Sequence, residues 1–405
     1  HDALPISLLP HVGAKSSAGA PGQDWVSDMG LDRAWTLAGG WSLVGTLDNG
    51  LNTTHPDLVP FDGSGTYVGG NYLSAYSGDV GRSTGNLPPL FQIELNVDER
   101  QAVPATNVVC DPDEDGFMVP TFAGHGTHVA GLIGANSANA DGTVGACKHC
   151  GISAWRVASE ACLNSGVVRV APTLPAIAAA LTYISDFGIQ VVNQSFGLFT
   201  TGVDRCATAN QNDAWCLAIT KANARGLLQV GASGNDRRAI NFPSEDSRVV
   251  AVGGLEPDLS FWNDRLDMPA NLLVGDCPDP VIAELPALGR ECGSNFTPAT
   301  AGERRQEVTL PARDVYSTVY PGVNWGTVLE CGDSYDANAS DGQGFCTGTS
   351  MSAPLYSGLA GLLRSINPLV MPGDPENVVD AIGIRDVVVE SASIPGGGTW
   401  NAQFG

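Results

Sequence analysis

Leu174-Pro-Ala-Ile-Ala-Ala-Ala-Leu-Thr-Tyr-Ile-Ser-Asp-Phe187 is an apolar stretch of helical length, and Ile189-Gln-Val-Val-Asn193 follows it directly as a strand. The same succession recurs further on. Asp213 to Arg225 reads as a helix closed by Gly226, with Leu227 to Val230 behind it as a strand, and Arg248-Val-Val-Ala-Val252 is another strand. Earlier, Trp41-Ser-Leu-Val-Gly-Thr-Leu47 reads as a buried strand that stops at the turn signal Asp48-Asn-Gly50. His125 to Ala135 is a helix rich in small residues, and Ile152 to Val157 is a short strand. Ser352 to Ile366 is a last helix, stopped by Asn367-Pro368. Helices and strands joined by short connections predict an α/β fold. It is a doubly wound, mostly parallel sheet with helices on both faces.

In such a sheet the working site lies outside the carboxyl ends of the strands. Asp48, Ser195 and Asn235 each fall just after a predicted strand, so one site is expected to collect them. Two stretches break the rhythm: 61–122 is loop-rich, and 258–306 is rich in proline and acid. Neither shows a core-building period, so the expectation is one domain over 1–405 carrying two insertions.

Composition narrows the function. The chain has 405 residues, 43% of them hydrophobic, with no apolar run long enough for a membrane-spanning helix, so no membrane partner is expected. A net charge of −23 argues against nucleic acid, whose phosphates need clustered Lys and Arg. The first residues, HDALPISLLPHVG, lack the basic start and clean apolar core of a signal peptide. Ten cysteines suit an oxidising compartment, so a processed, secreted, extracellular chain is expected. Local pairs are expected for Cys206 with Cys216, Cys277 with Cys292, and Cys331 with Cys346. Cys110, Cys147, Cys150 and Cys162 stay open, and Cys147-Lys-His-Cys150 could be half a zinc site or a redox pair.

Three segments carry chemistry: Leu47-Asp48-Asn49-Gly50, Gly124-His-Gly-Thr-His-Val-Ala-Gly131 and Gly348-Thr-Ser-Met-Ser-Ala-Pro354. A serine hydroxyl is a weak nucleophile until a base takes its proton. Histidine titrates near neutrality and suits that role, and a carboxylate behind it fixes the tautomer. In this order the segments resemble the Asp, His and Ser signatures of the subtilisin-like serine peptidases. After the Asp the family usually has Thr or Ser, where this chain has Asn49. No G-x-S-x-G elbow surrounds Ser350, which speaks against a lipase or esterase.

The resemblance implies a serine endopeptidase with Asp48, His125 and Ser350 as its triad. Gly231-Ala232-Ser233-Gly234-Asn235 resembles the segment that supplies an oxyanion-binding Asn side chain, and Gly231 to Gly234 would line the pocket for the residue before the cut. Ser195-Phe196-Gly197 looks like the edge that pairs with an extended substrate, with Ser165-Gly166-Val167 opposite. His128, one turn beyond His125, reads as a packing residue. Pro354 has no N–H to return to the Ser350 carbonyl, which predicts a bent first turn.

Calcium is the expected metal. Asp111-Pro-Asp113-Glu-Asp115-Gly116 matches the start of a D-x-D-x-D-G loop, although Phe122 stands where a full EF-hand loop has Glu. Asp57 resembles a calcium ligand of many family members. The resemblance further implies protein or peptide substrates, a propeptide before maturation, and a monomer.

Overall fold

The computed structural model describes residues 23–38, 42–52, 55–58, 72–77, 125–135, 143–162, 168–172, 174–186, 189–198, 205–208, 213–263, 293–297, 307–319, 342–366 and 375–392. Their strands are Leu43–Asp48 (β1), Tyr72–Ser77 (β2), Gly151–Arg156 (β3), Ala158–Cys162 (β4), Val168–Pro172 (β5) and Val191–Gln194 (β6). Leu228–Ala232 (β7), Val249–Leu255 (β8), Val308–Pro311 (β9), Val315–Thr318 (β10) and Gln343–Cys346 (β11) complete them. The helices are Trp25–Asp28 (α1), Leu31–Leu37 (α2), His125–Gly134 (α3), Leu174–Asp186 (α4), Arg205–Thr208 (α5), Ala214–Ala224 (α6), Thr349–Arg364 (α7) and Pro375–Ser391 (α8).

Strand β1 explains the layering. Its residues alternate between faces, so Val44 enters one core and Leu47 the other. The first core holds Val129, Leu132 and Ile133 of α3 and Met351, Leu355 and Leu359 of α7. The second holds Ile177, Leu181 and Ile184 of α4 and Trp215 and Ile219 of α6. A strand buried on both sides cannot show an alternating polar face, which is why these runs read as continuously apolar.

Among the described residues the sheet has seven strands in the order β2-β3-β1-β6-β7-β8-β9, and every pairing within it is parallel. The doubly wound expectation holds. Chain order reverses where β1 separates β3 from β6, the place where such sheets open a crevice. Tyr72–Ser77 lies within the stretch read as a loop-rich insertion, yet it forms the edge strand beside β3.

Local chemistry sets the helix ends. Asp213 caps α6, its carboxylate accepting from the N–H groups of Trp215 at 2.9 Å and Cys216 at 3.3 Å. The expected Cys206–Cys216 disulfide ties α5 to α6. Cys147 and Cys150 form a disulfide with each other and are fully buried, a pairing the sequence left open. Cys346 is disulfide-bonded, while Cys110, Cys277, Cys292 and Cys331 lie outside the described residues.

Two buried histidines couple the fold to pH. His128 Nε2 donates to Val315 O at 2.9 Å, and burial pushes its pKa down to about 3. His55 Nε2 donates to Gly342 O at 2.6 Å while its Nδ1 accepts from Asp57 N at 3.1 Å. Burial likewise lowers its pKa, and a second proton would cost it the Asp57 bond. Both rings are held neutral in the folded chain, whereas in the unfolded chain they titrate near 6.5. Below that value the unfolded state binds more protons, so stability is lost as pH falls from about 6.5 toward 3, by on the order of a few kcal/mol. Urea midpoints measured across this range are expected to fall with pH. His128→Gln is expected to flatten that slope; an unchanged slope would refute the assignment.

Candidate active site

Asp48 ends β1, and His125 opens α3. His125 Nδ1–H donates to Asp48 Oδ1 at 2.8 Å, with both side chains about nine-tenths buried or more. The same carboxylate oxygen accepts from Asn49 N at 2.8 Å, which fixes the carboxylate plane. Asn49, the departure from the family pattern, makes a contact of its own, in which its Oδ1 accepts from Gly126 N at 3.1 Å. It thereby satisfies an otherwise unpaired N–H in the first turn of α3 and ties that turn to the residue after the Asp.

Ser350 lies in the first turn of α7, which starts at Thr349, three residues before the Ser352 expected from the sequence pattern. Helices α3 and α7 pack together and bring their N-termini to the same end of the sheet. Gly348 makes this entry possible with φ of 147°, a conformation that side chains disfavour. The helix continues through Pro354, and the carbonyl that this proline strands is answered by a side chain: Ser195 Oγ donates to Ser350 O at 2.8 Å. In return, Ser350 Oγ donates to Ser195 O at 3.1 Å. Behind Ser195, Asn193 Nδ2 donates to its Oγ at 2.9 Å, and Ser357 Oγ donates to Asn193 Oδ1 at 3.2 Å. The chain Ser357–Asn193–Ser195–Ser350 therefore links α7 to the end of β6. Asn193 and Ser357 carried no sequence signal of this, because the link exists only across a separation of more than 150 residues.

Asn235 follows β7. Its Oδ1 accepts from Thr349 N at 2.9 Å and from Thr349 Oγ1 at 2.7 Å. Since a backbone N–H can only donate, the amide orientation is fixed and Nδ2 is held on the opposite side. Thr349 Oγ1 also accepts from Gly234 N at 3.0 Å. Thr349, which carried no sequence signal of this role, thus sets the angle of Asn235.

The residues read as substrate-binding are placed unequally. Ser195 is buried, Phe196 half-buried and Gly197 exposed, and the strand runs on into a two-way antiparallel bridge between Leu198 and Phe242. Gly231 and Ala232 are the buried end of β7, Ser233 is fully buried, and Gly234 is partly exposed. Ser165 and Gly166 lie outside the described residues, between the paired strands β4 and β5.

Asp111, Asp113 and Asp115 also lie outside the described residues. Asp57 is buried, and its Oδ2 accepts from Thr143 N at 3.1 Å, Thr143 Oγ1 at 3.4 Å and Gln343 Nε2 at 3.5 Å. Among the described residues no group of three or more His, Cys, Asp or Glu side chains is placed to hold a metal ion.

A parallel sheet with Asp at the end of one strand, His and Ser at two helix N-termini, and a fixed amide beside them defines a subtilisin-like protein. The chain belongs to the subtilase family, whose model matches residues 40–405. It is 28% identical over 242 residues to a thermophilic serine proteinase of Bacillus sp. (strain AK1), covering 60% of this chain and 42% of that protein. It is 27% identical over 246 residues to subtilisin Savinase of Lederbergia lenta, covering 60% and 64%. It is 26% identical over 259 residues to the halolysin-like extracellular serine protease Nep of Natrialba magadii, covering 63% and 34%. The matched stretch spans less than two thirds of each of these relatives. Among solved structures, the S41 psychrophilic protease shares the fold with a TM-score of 0.50 at 19% identity, covering 87% of this chain and 83% of that one.

Proposed function

We propose that the chain is a serine endopeptidase that hydrolyses peptide bonds through an acyl-enzyme on Ser350. The observation that carries this reading is the 2.8 Å bond from His125 Nδ1 to Asp48 Oδ1, on a helix packed against the one whose first turn holds Ser350. With Nδ1 committed as a donor, Nε2 of the neutral ring is the basic nitrogen. Reaction requires the Ser350 hydroxyl to leave the Ser195 carbonyl and donate to Nε2. His125 takes the proton as the oxygen attacks the substrate carbonyl, and later gives it to the leaving amine. Water then repeats the sequence in reverse and frees Ser350. Asn235 Nδ2 and the Ser350 N–H hold the developing oxyanion.

Substrate is an extended protein or peptide segment that pairs with the Ser195–Gly197 edge, with Ser165 and Gly166 forming the opposite edge and Gly231 to Gly234 the pocket before the cut. Main-chain pairing supplies affinity with little demand on side chains. The chain acts as one domain and a monomer, matured from a propeptide-bearing precursor and secreted to the extracellular space, a setting supported by its disulfides. The direct test is cleavage of an unfolded protein: the chain is expected to degrade it and Ser350→Ala to leave it intact. Equal cleavage by both ends the assignment.

Calcium at Asp111, Asp113 and Asp115 is proposed from the D-x-D-x-D-G pattern of that stretch, with Asp57 as a further candidate from the resemblance. An ion bound to the folded state stabilises it by mass action. Chelation with EDTA is expected to lower the melting temperature by several degrees, and Asp113→Asn to abolish that response. A melting temperature indifferent to EDTA refutes the calcium sites.

A further inference from the structure

We propose that Asn295 is a positioning residue for the oxyanion-binding amide of Asn235, an inference that rests on the peptidase reading above. Asn295 lies in the stretch 258–306, which the sequence marks as an acidic, proline-rich insertion with no evident role. In the structure it is fully buried and grips the loop that carries Asn235 from both sides. Its Nδ2 donates to Ser233 O at 3.0 Å, two residues before Asn235. Its Oδ1 accepts from Asp236 N at 2.9 Å and Arg238 N at 3.1 Å, one and three residues after. Its own backbone N–H donates to Gly234 O at 2.8 Å. One side chain and one amide thus satisfy backbone groups on each flank of Asn235, as strand pairing would, although the loop is no strand.

The fit leaves no slack. Gly234 sits at φ of 106°, and a Cβ there would stand 2.4 Å from Asn295 Nδ2. Around the contact, Arg237 N donates to Gly293 O at 3.1 Å and Phe296 N donates to Arg238 O at 2.9 Å. Thr349 orients the Asn235 side chain from the α7 side, and Asn295 sets the backbone from the other. An amide donor aimed at developing charge loses much of its value when misplaced by a fraction of an ångström, because the stabilisation depends on preorganisation.

The test is a double-mutant cycle with kcat expressed per active site, titrated with a fluorophosphonate that labels Ser350, so that misfolded protein is not counted. Asn235→Ala is expected to lower kcat by about 10²–10³-fold. Asn295→Ala is expected to lower kcat by about tenfold or more with KM within about twofold. In the Asn235→Ala background it is expected to lower kcat by no more than about threefold, since the group it positions is gone. An equal loss in both backgrounds, or a loss confined to KM, overturns the positioning role. If the alanine variant does not fold, Asn295→Ser carries the same cycle. A normal kcat for Asn235→Ala would instead overturn the oxyanion assignment beneath it, a result distinct from an Asn235-dependent enzyme indifferent to Asn295.

Discussion

Ser350→Ala is expected to lower kcat by about 10⁶-fold, and adding His125→Ala to it is expected to cost almost nothing more. The magnitude is the one known for subtilisin, whereas the non-additivity follows from the proposed mechanism. In that mechanism His125 acts only by moving the proton of Ser350, and with no hydroxyl there is no proton to move. What survives is the catalysis due to oxyanion stabilisation and substrate alignment, about 10³–10⁴ over water. The variant is expected to fold normally. Ser350 Oγ donates to Ser195 O at 3.1 Å, but the helix is anchored by Ser195 Oγ on Ser350 O at 2.8 Å, which alanine keeps. Steady-state rates on a chromogenic peptide, with melting curves of both variants, check this. A Ser350→Ala enzyme within tenfold of the parent would refute the nucleophile.

Asp48→Asn is the second large effect, expected at about 10⁴-fold in kcat with KM nearly unchanged. Asp48 Oδ1 accepts from both His125 Nδ1 and Asn49 N, so the carboxylate is held at two points. An amide of the same shape must still offer its oxygen to one donor and can present its NH₂ to the ring. The ring would then place its proton on Nε2 and lose its basic nitrogen toward Ser350. Rotation of the amide that presents oxygen to both donors would preserve the tautomer but still lose the charge that stabilises the imidazolium. Kinetics of the variant across pH, compared with the parent, measure this. A loss of less than about tenfold would show that Asp48 is not the residue that orients His125.

The site was legible in the chain to the extent that its chemistry is local. Gly124 to Gly131 and Gly348 to Pro354 place a histidine and a serine at the start of helices of small residues, and the structure has both at helix N-termini. Asp48 is legible because an apolar run ends on it. Thr349, Asn193 and Asn295 were not legible. Each works on a partner remote in sequence: Thr349 on Asn235, Asn193 on Ser357, Asn295 on the loop 233–238. Tyr72–Ser77 was missed as a strand for a related reason, since its ladder partner is β3, far along the chain.

What the sequence by itself determined was the alternation of helix and strand, the residues proposed as the nucleophilic machinery, and their place after strands or at the start of helices. The alternation follows from periodicity, capping and turn chemistry, which act over a few residues, and the catalytic candidates from the three segments that carry the resemblance. Only the tertiary structure decided which hydroxyl answers the carbonyl stranded by Pro354, which amide orientation Asn235 adopts, and that a residue of the stretch 258–306 grips the loop that carries Asn235. Those outcomes depend on hydrogen-bond geometry between segments that meet only when the sheet is assembled, and a buried polar group takes whichever partner the packing brings within reach.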